Sequence, residues 1–96
     1  MAVGDVKSGL SSIAAGAYLA IQPSGTEEWV IHNIYHASDA EFHFYDGTND
    51  ILVESHYGKG GWLGYFFHVR NGLYIRVKNA NTAAKLIGYD GVCTHT

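Results

Sequence analysis

Two stretches of this chain share one plan, and that plan sets what the rest can be. Trp29 to Gly47, WVIHNIYHASDAEFHFYDG, has two extended segments joined by a short polar turn and closed by Tyr45-Asp46-Gly47. Ile75 to Gly91, IRVKNANTAAKLIGYDG, aligns with Ile31 to Gly47 without a gap. Ile31 falls on Ile75, Ala40 on Ala84, Phe42 on Leu86, and the YDG triplets coincide. Ala40–Tyr45 alternates strictly, with Phe42 and Phe44 on one face and Glu41, His43 and Tyr45 on the other, the period of a strand lying on a core. Glu28–His36 is partly apolar on both faces, as an interior strand is. The two stretches predict two similar hairpins.

The remaining chain continues in this way. Ala17–Gln22 alternates and is stopped by Pro23-Ser24-Gly25. Ile51–His56, Trp62–Val69 and Leu73–Lys78 read as strands, separated by Asp46–Asp50, the glycine loop Tyr57–Gly61 and the turn Arg70-Asn71-Gly72. Asp90-Gly91 is expected to kink or end the last strand, and Asp46 and Asp90 to bond their own turns. Residues 1–16 carry Val3, Val6, Leu10 and Ile13 at helical spacing, broken by Gly4, Gly9 and Ser11-Ser12. They read as a partly extended N-terminal arm with a short strand around Asp5–Leu10, followed by a single domain over residues 17–96. The fold class expected is all-β: an antiparallel β-sandwich or jelly-roll-like domain of about seven or eight short strands.

Composition enters as exclusion. The net charge is −3, and the six Lys and Arg are scattered singly, which argues against a nucleic-acid binder. No apolar run reaches the roughly 18–20 residues of a membrane span, and MAVGDVKSG lacks the pattern of a secretory leader. Cys93 is the sole cysteine, so packing and hydrogen bonds must hold the domain in place of a disulfide, with neighbouring subunits as a further source of support.

The chain has six histidines. On one strand, His32 and His36 would stand about 13–14 Å apart, too far for one metal, and His43 could approach one of them only across a hairpin. The sharper His-x-His sign of a cupin-like metal protein is missing, so no metal site or cofactor is expected. No nucleophile elbow appears and no catalytic residue is expected. Glu27-Glu28 and Asp46/Asp50 read as solvated loop carboxylates. Among the aromatic residues, Trp29 is expected in the core. Trp62, beside the glycine loop, with Tyr65 and Tyr57, forms the candidate for a subunit interface or a ligand-stacking surface.

The words IQPSGTEEWVIHNIY, FYDGTNDILVES, FFHVRNGLYIRVKN and KLIGYDGV, from Gln22 to Val92, resemble small virion proteins of tailed bacteriophages, of the head decoration (cement) kind. The resemblance implies a non-enzymatic β-sandwich that assembles as a homo-oligomer, with a trimer favoured. It would bind the major capsid protein on the outer face of the phage head after synthesis in the host cytoplasm. A carbohydrate- or receptor-binding module of a phage tail or fibre is the second expectation, and a small cupin-like metal protein the third.

Overall fold

The computed structural model describes residues 2–96. It holds eight strands: β1 (Val6–Ile13), β2 (Tyr18–Ile21), β3 (Glu28–His36), β4 (Ala40–Tyr45), β5 (Asp50–His56), β6 (Gly60–Arg70), β7 (Tyr74–Asn79) and β8 (Lys85–His95). Among the described residues there is no helix, and hence none long and apolar enough to cross a membrane. The strands form two antiparallel sheets, ordered β1-β8-β3-β6 and β2-β7-β4-β5. Every connection except β4–β5 passes from one sheet to the other. This is a β-sandwich with the strand order of an eight-stranded jelly roll.

The two repeated stretches are therefore not hairpins. β3 and β4 lie in different sheets, as do β7 and β8. Alternation reports which side chains face the core but not which strand is the hydrogen-bonding neighbour. A three-residue turn such as Ala37-Ser38-Asp39, at roughly 3.3 Å per residue, spans the ~10 Å between stacked sheets as readily as it closes a hairpin. The repeat nevertheless has structural content. A shift of 44 residues, which takes Ile31 to Ile75, also takes β1 to β5, β2 to β6, β3 to β7 and β4 to β8. It maps one whole sheet onto the other, so the two halves of the chain are related by a pseudo-two-fold axis.

The core lies between the sheets and contains Ile21, Ile31, Ile34, Phe42, Ile75, Val77, Ile87 and Cys93, with Trp29 and Trp62 packed into it. Ile31 and Ile34 are both fully buried although three positions apart. Strict alternation would place them on opposite faces. His32 is an extra residue in the pairing with β8, and this bulge resets the parity of β3. On the other side of β3 the register passes from Ile31↔Phe67 to Asn33↔Leu63, so Gly64, Tyr65 and Phe66 swell out of β6. Gly64 takes φ +74° there, and its N–H donates to Asn33 Oδ1 at 2.9 Å.

The N-terminal stretch is not an arm. Residues 6–13 pair with β8 over their whole length, from Val6↔Val92 to Ile13↔Lys85, and Ile13 packs on the core. The sandwich thus begins at Val6, not Ala17. The glycines that weaken a helix are compatible with a strand edge, and Lys7, inward-facing, is held by Glu27 at 3.4 Å and over the Trp29 ring at 4.7 Å. β8 likewise runs through Asp90-Gly91 without ending. A Cβ at Gly91 would overlap the Val30 carbonyl oxygen of β3, so glycine there permits close strand approach and makes no turn. The two YDG triplets accordingly differ. Asp46 accepts from the N–H groups of Thr48 and Asn49, and those bonds hold its carboxyl below the usual range. Asp90 instead accepts from Asn33 Nδ2 across the sheet, at 2.7 Å.

Candidate interaction surface

β5 and β6 are the terminal strands of their respective sheets and meet along one flank of the sandwich. Jelly-roll topology leaves such strands with one unpaired edge each, and natural sheets protect edges with bulges or inward-pointing charges. Both devices are present. The register between β4 and β5 shifts from Phe42↔Glu54 to His43↔Leu52, leaving Val53 as a bulge, and Glu54 points in toward the other sheet. β6 carries the Gly64–Phe66 swelling.

The flank is protected from strand addition yet remains strongly apolar. Phe66 is 72% exposed, Leu63 63%, Ile51 63%, Val53 52% and Tyr65 49%. Tyr57 in the β5–β6 loop is 89% exposed. Tyr65 stacks on Phe67 with centroids 5.0 Å apart, and Phe66 meets His32 edge-on at 5.2 Å. Between the two edge strands lies a groove of about 230 Å³, lined by Phe42, Val53, Glu54, Trp62, Tyr65 and Phe67. Isolated exposed apolar side chains are ordinary on any surface; here several lie on two neighbouring edge strands, and two of them, Val53 and Tyr65, line the groove.

The sequence expectation for Trp62 needs correction. It is only 4% exposed. One indole face is covered by the His56 ring, stacked at 3.9 Å, and Phe42 packs against it at 5.4 Å. Its Nε1–H donates to Glu54 Oε1. A glycine loop beside a tryptophan does not expose it, because the indole turns inward and seals the gap between the sheets. Trp62 therefore forms the floor of the groove, while Tyr65 and Tyr57 are on the outside.

Next to that floor lies a group that sequence reading did not assemble. His36 ends β3, His56 ends β5, and all connections from odd-numbered to even-numbered strands lie at this end of the sandwich. His36 Nε2 is 3.0 Å from His56 Nδ1, and His56 Nε2 is 2.9 Å from Glu54 Oε1. His36 Nδ1 is 2.7 Å from the Ser38 carbonyl oxygen. Burial, assisted by the nearby His56, pushes the His36 imidazole below its ordinary range, against opposing pulls from the Ser38 and Gly58 backbone and from Asp39. The neighbouring turns are tied in by Asp39, which accepts from Gly58 N–H at 2.6 Å, and by Asn81, which donates to the Asp39 carbonyl. Fully buried Asn79 donates to the carbonyls of Ile13 and Ala83.

The other polar residues singled out in the sequence are dispersed. His32 bonds the Tyr65 carbonyl on the outer face of the first sheet. His43 lies in the opposite sheet from His32 and His36, with Nε2 3.0 Å from Glu41 and Nδ1 3.3 Å from Asp50. Among the described residues no three His, Cys, Asp or Glu side chains converge as a metal-ligand group. Asp50 and Glu27 are not free loop carboxylates. Asp50 pairs with Arg76, whose guanidinium lies between the Tyr18 and Tyr45 rings at 4.2 and 3.8 Å. Glu27 accepts from Trp29 Nε1 and pairs with Lys7, contacts that hold its carboxyl below the usual range. Neither the protein-family models nor the curated protein sequences yield a match to this chain.

Proposed function

We propose that this protein is a non-enzymatic structural protein that works as a homo-oligomer, a trimer being favoured, and decorates the outer face of a tailed-phage head by binding its major capsid protein. The observation that carries the reading is the β5–β6 flank, where exposed Val53 and Tyr65 line one groove and Ile51, Leu63 and Phe66 are exposed on the same two edge strands. Covering each of these side chains in a contact is worth about 1.5–3 kcal/mol. Repetition of a weak contact around a symmetric assembly multiplies that gain. The resemblance of the chain's strand and turn words to head decoration proteins supplies the biological setting, and the jelly roll is one of the folds that capsid-associated domains use.

Imaging of phage particles carrying the protein tests the setting: density on the head surface is expected, and density confined to the tail overturns it. Light scattering of the purified protein tests the assembly, with a mass near three chains expected; a monomer at high concentration overturns it.

The groove also favours a second reading, a carbohydrate- or receptor-binding module of a tail or fibre. Its walls combine the Tyr65–Phe67 stack with the Glu54 carboxylate, the pairing of ring face and acceptor that sugar recognition uses. A glycan array in which binding is lost on Tyr65→Ala would favour this reading over the first.

A further inference from the structure

Four strands end the two sheets, and three of them are guarded against a further strand. β5 has the Val53 bulge and the inward Glu54, β6 has the Gly64–Phe66 swelling, and β2 is only four residues long. β1 differs. It keeps one unbroken register with β8 over all eight residues, so its outer edge is regular along the same length. Its inward charge, Lys7, is no guard. In the single chain Lys7 is already buried, paired with Glu27 and held over the Trp29 ring, so an added strand would strip little further water from it.

The groups open on that edge follow from the ladder. Directly opposed residues of an antiparallel pair alternate between those that exchange hydrogen bonds and those that do not. Cys93 N–H donates to the Asp5 carbonyl, so Asp5, Lys7, Gly9, Ser11 and Ile13 point their backbone at β8. β8 uses its alternate residues toward β3, as where Ala37 N–H donates to the carbonyl of Leu86, the residue opposite Ser12. The N–H and C=O groups of Val6, Ser8, Leu10 and Ser12 therefore face away from the sheet, and no turn or loop bond among the described residues takes them up. A protein partner that satisfies them all at once is itself an extended strand.

The same edge on a second copy has the matching pattern. Run antiparallel about a two-fold axis at Gly9, it sets Val6 opposite Ser12 of the other copy and Ser8 opposite Leu10, and the converse with the copies exchanged. Every open residue of both chains then lies in a hydrogen-bonding pair. Sliding the pair along by two residues leaves one open residue of each chain outside the contact. On the outer face, Val6 and Leu10 are 71% and 64% exposed, and each comes diagonal to the other across the axis, within reach of side-chain contact.

We propose that two copies of this chain join through their β1 edges, antiparallel about Gly9, so that their β1-β8-β3-β6 sheets run on as one. β6 lies at the opposite edge of that sheet, so the contact leaves the β5–β6 flank free and does not depend on what the flank binds. It is one strand wide, hence of low affinity and populated in concentrated solution.

Amide exchange followed through a dilution series tests the pairing. In dilute protein the amides of Val6, Ser8, Leu10 and Ser12 are expected to exchange as free edge groups while Lys7, Gly9 and Ser11 stay protected. In concentrated protein the first four should gain about tenfold protection or more. Leu10→Pro removes an N–H that β8 does not use, so the sandwich should stay folded and the concentration-dependent protection of Val6, Ser8 and Ser12 should vanish. A pair of charge variants tests the register even if Leu10→Pro does not fold. Ser8→Lys/Leu10→Asp sets opposite charges against each other at both Ser8–Leu10 contacts and should associate, whereas Ser8→Lys/Leu10→Lys sets like charges there and should not. Protection of the four edge amides that is the same at every concentration overturns the proposal. So does concentration-dependent protection that survives in a folded Leu10→Pro variant, or equal association of the two charge variants.

Discussion

At the scale of single residues, identical letters serve different physics. The glycines of the two YDG triplets show this. Gly47 takes φ +95° with open space around its Cα, whereas Gly91 lies against the β3 backbone. Gly47→Ala is expected to cost about 1 kcal/mol, the strain of a left-handed alanine. Gly91→Ala forces strand separation and is expected to cost at least the ~1–3 kcal/mol of core overpacking. Thermal melts of the two variants check the order, since each kcal/mol moves the midpoint by about 4–8 °C in a domain of this size. The two triplets cannot be told apart in the sequence, because close approach is a property of the neighbouring strand. Trp62 and Glu27 teach the same lesson: their partners, His56 and Lys7, lie on other strands, and no local pattern announces them. Phe42 was legible, because alternation alone fixed its side. It is buried against Phe44, Trp62 and Phe67, and Phe42→Ala is expected to lose about 3–5 kcal/mol in chemical denaturation.

At the scale of strands, the sequence located nearly all the elements and misjudged how they pair. Turn residues at Pro23-Ser24-Gly25, Asp46–Asn49 and Asn71-Gly72 end strands whatever lies across from them, so strand number and the all-β class could be read. Pairing is decided by contacts dozens of residues apart, such as Ile34 with Tyr89, and local alternation is silent about those. β1 is the sharpest case. Its Val6, Leu10 and Ile13 spacing mixes two periods because Lys7 and Gly9 occupy inward positions usually filled by apolar residues. Deleting residues 2–13 removes the strand paired with β8 and the Ile13 contact with the core. The expected outcome in circular dichroism is loss of the cooperative melt, where a free arm would leave the melt unchanged.

At the scale of the whole molecule, the flank that interaction favours differs from the core in what mutation should do. Leu63 and Phe66 are mostly exposed, so the Leu63→Ser/Phe66→Ser double variant should keep monomer stability within about 0.5 kcal/mol per site. If the proposed homo-oligomer forms through this flank, the double variant should sediment at a lower mass than the wild type at the same concentration. The exposed surface was half legible: Tyr65 and Tyr57 are exposed beside the glycine-rich loop, while the extra residues at Val53 in β5 and at Gly64–Phe66 in β6 depend on partner-strand register that local alternation does not report.

The pseudo-two-fold arrangement has a consequence for chain continuity. Residues 4–5 and Cys93 come together: Gly4 N–H donates to the Cys93 carbonyl at 2.7 Å, and Cys93 N–H to the Asp5 carbonyl at 2.9 Å. β4–β5 is the one connection that stays within a sheet, and its Asp46–Asn49 turn lies midway along the chain. Splicing the ends through a short glycine linker and reopening the polypeptide at Thr48 would exchange the two halves in sequence order. Because each half occupies the place of the other under the 44-residue shift, the permuted chain should refold to the same sandwich, with a far-ultraviolet spectrum overlaying that of the parent. To the folded molecule, the order in which its halves are synthesised is immaterial.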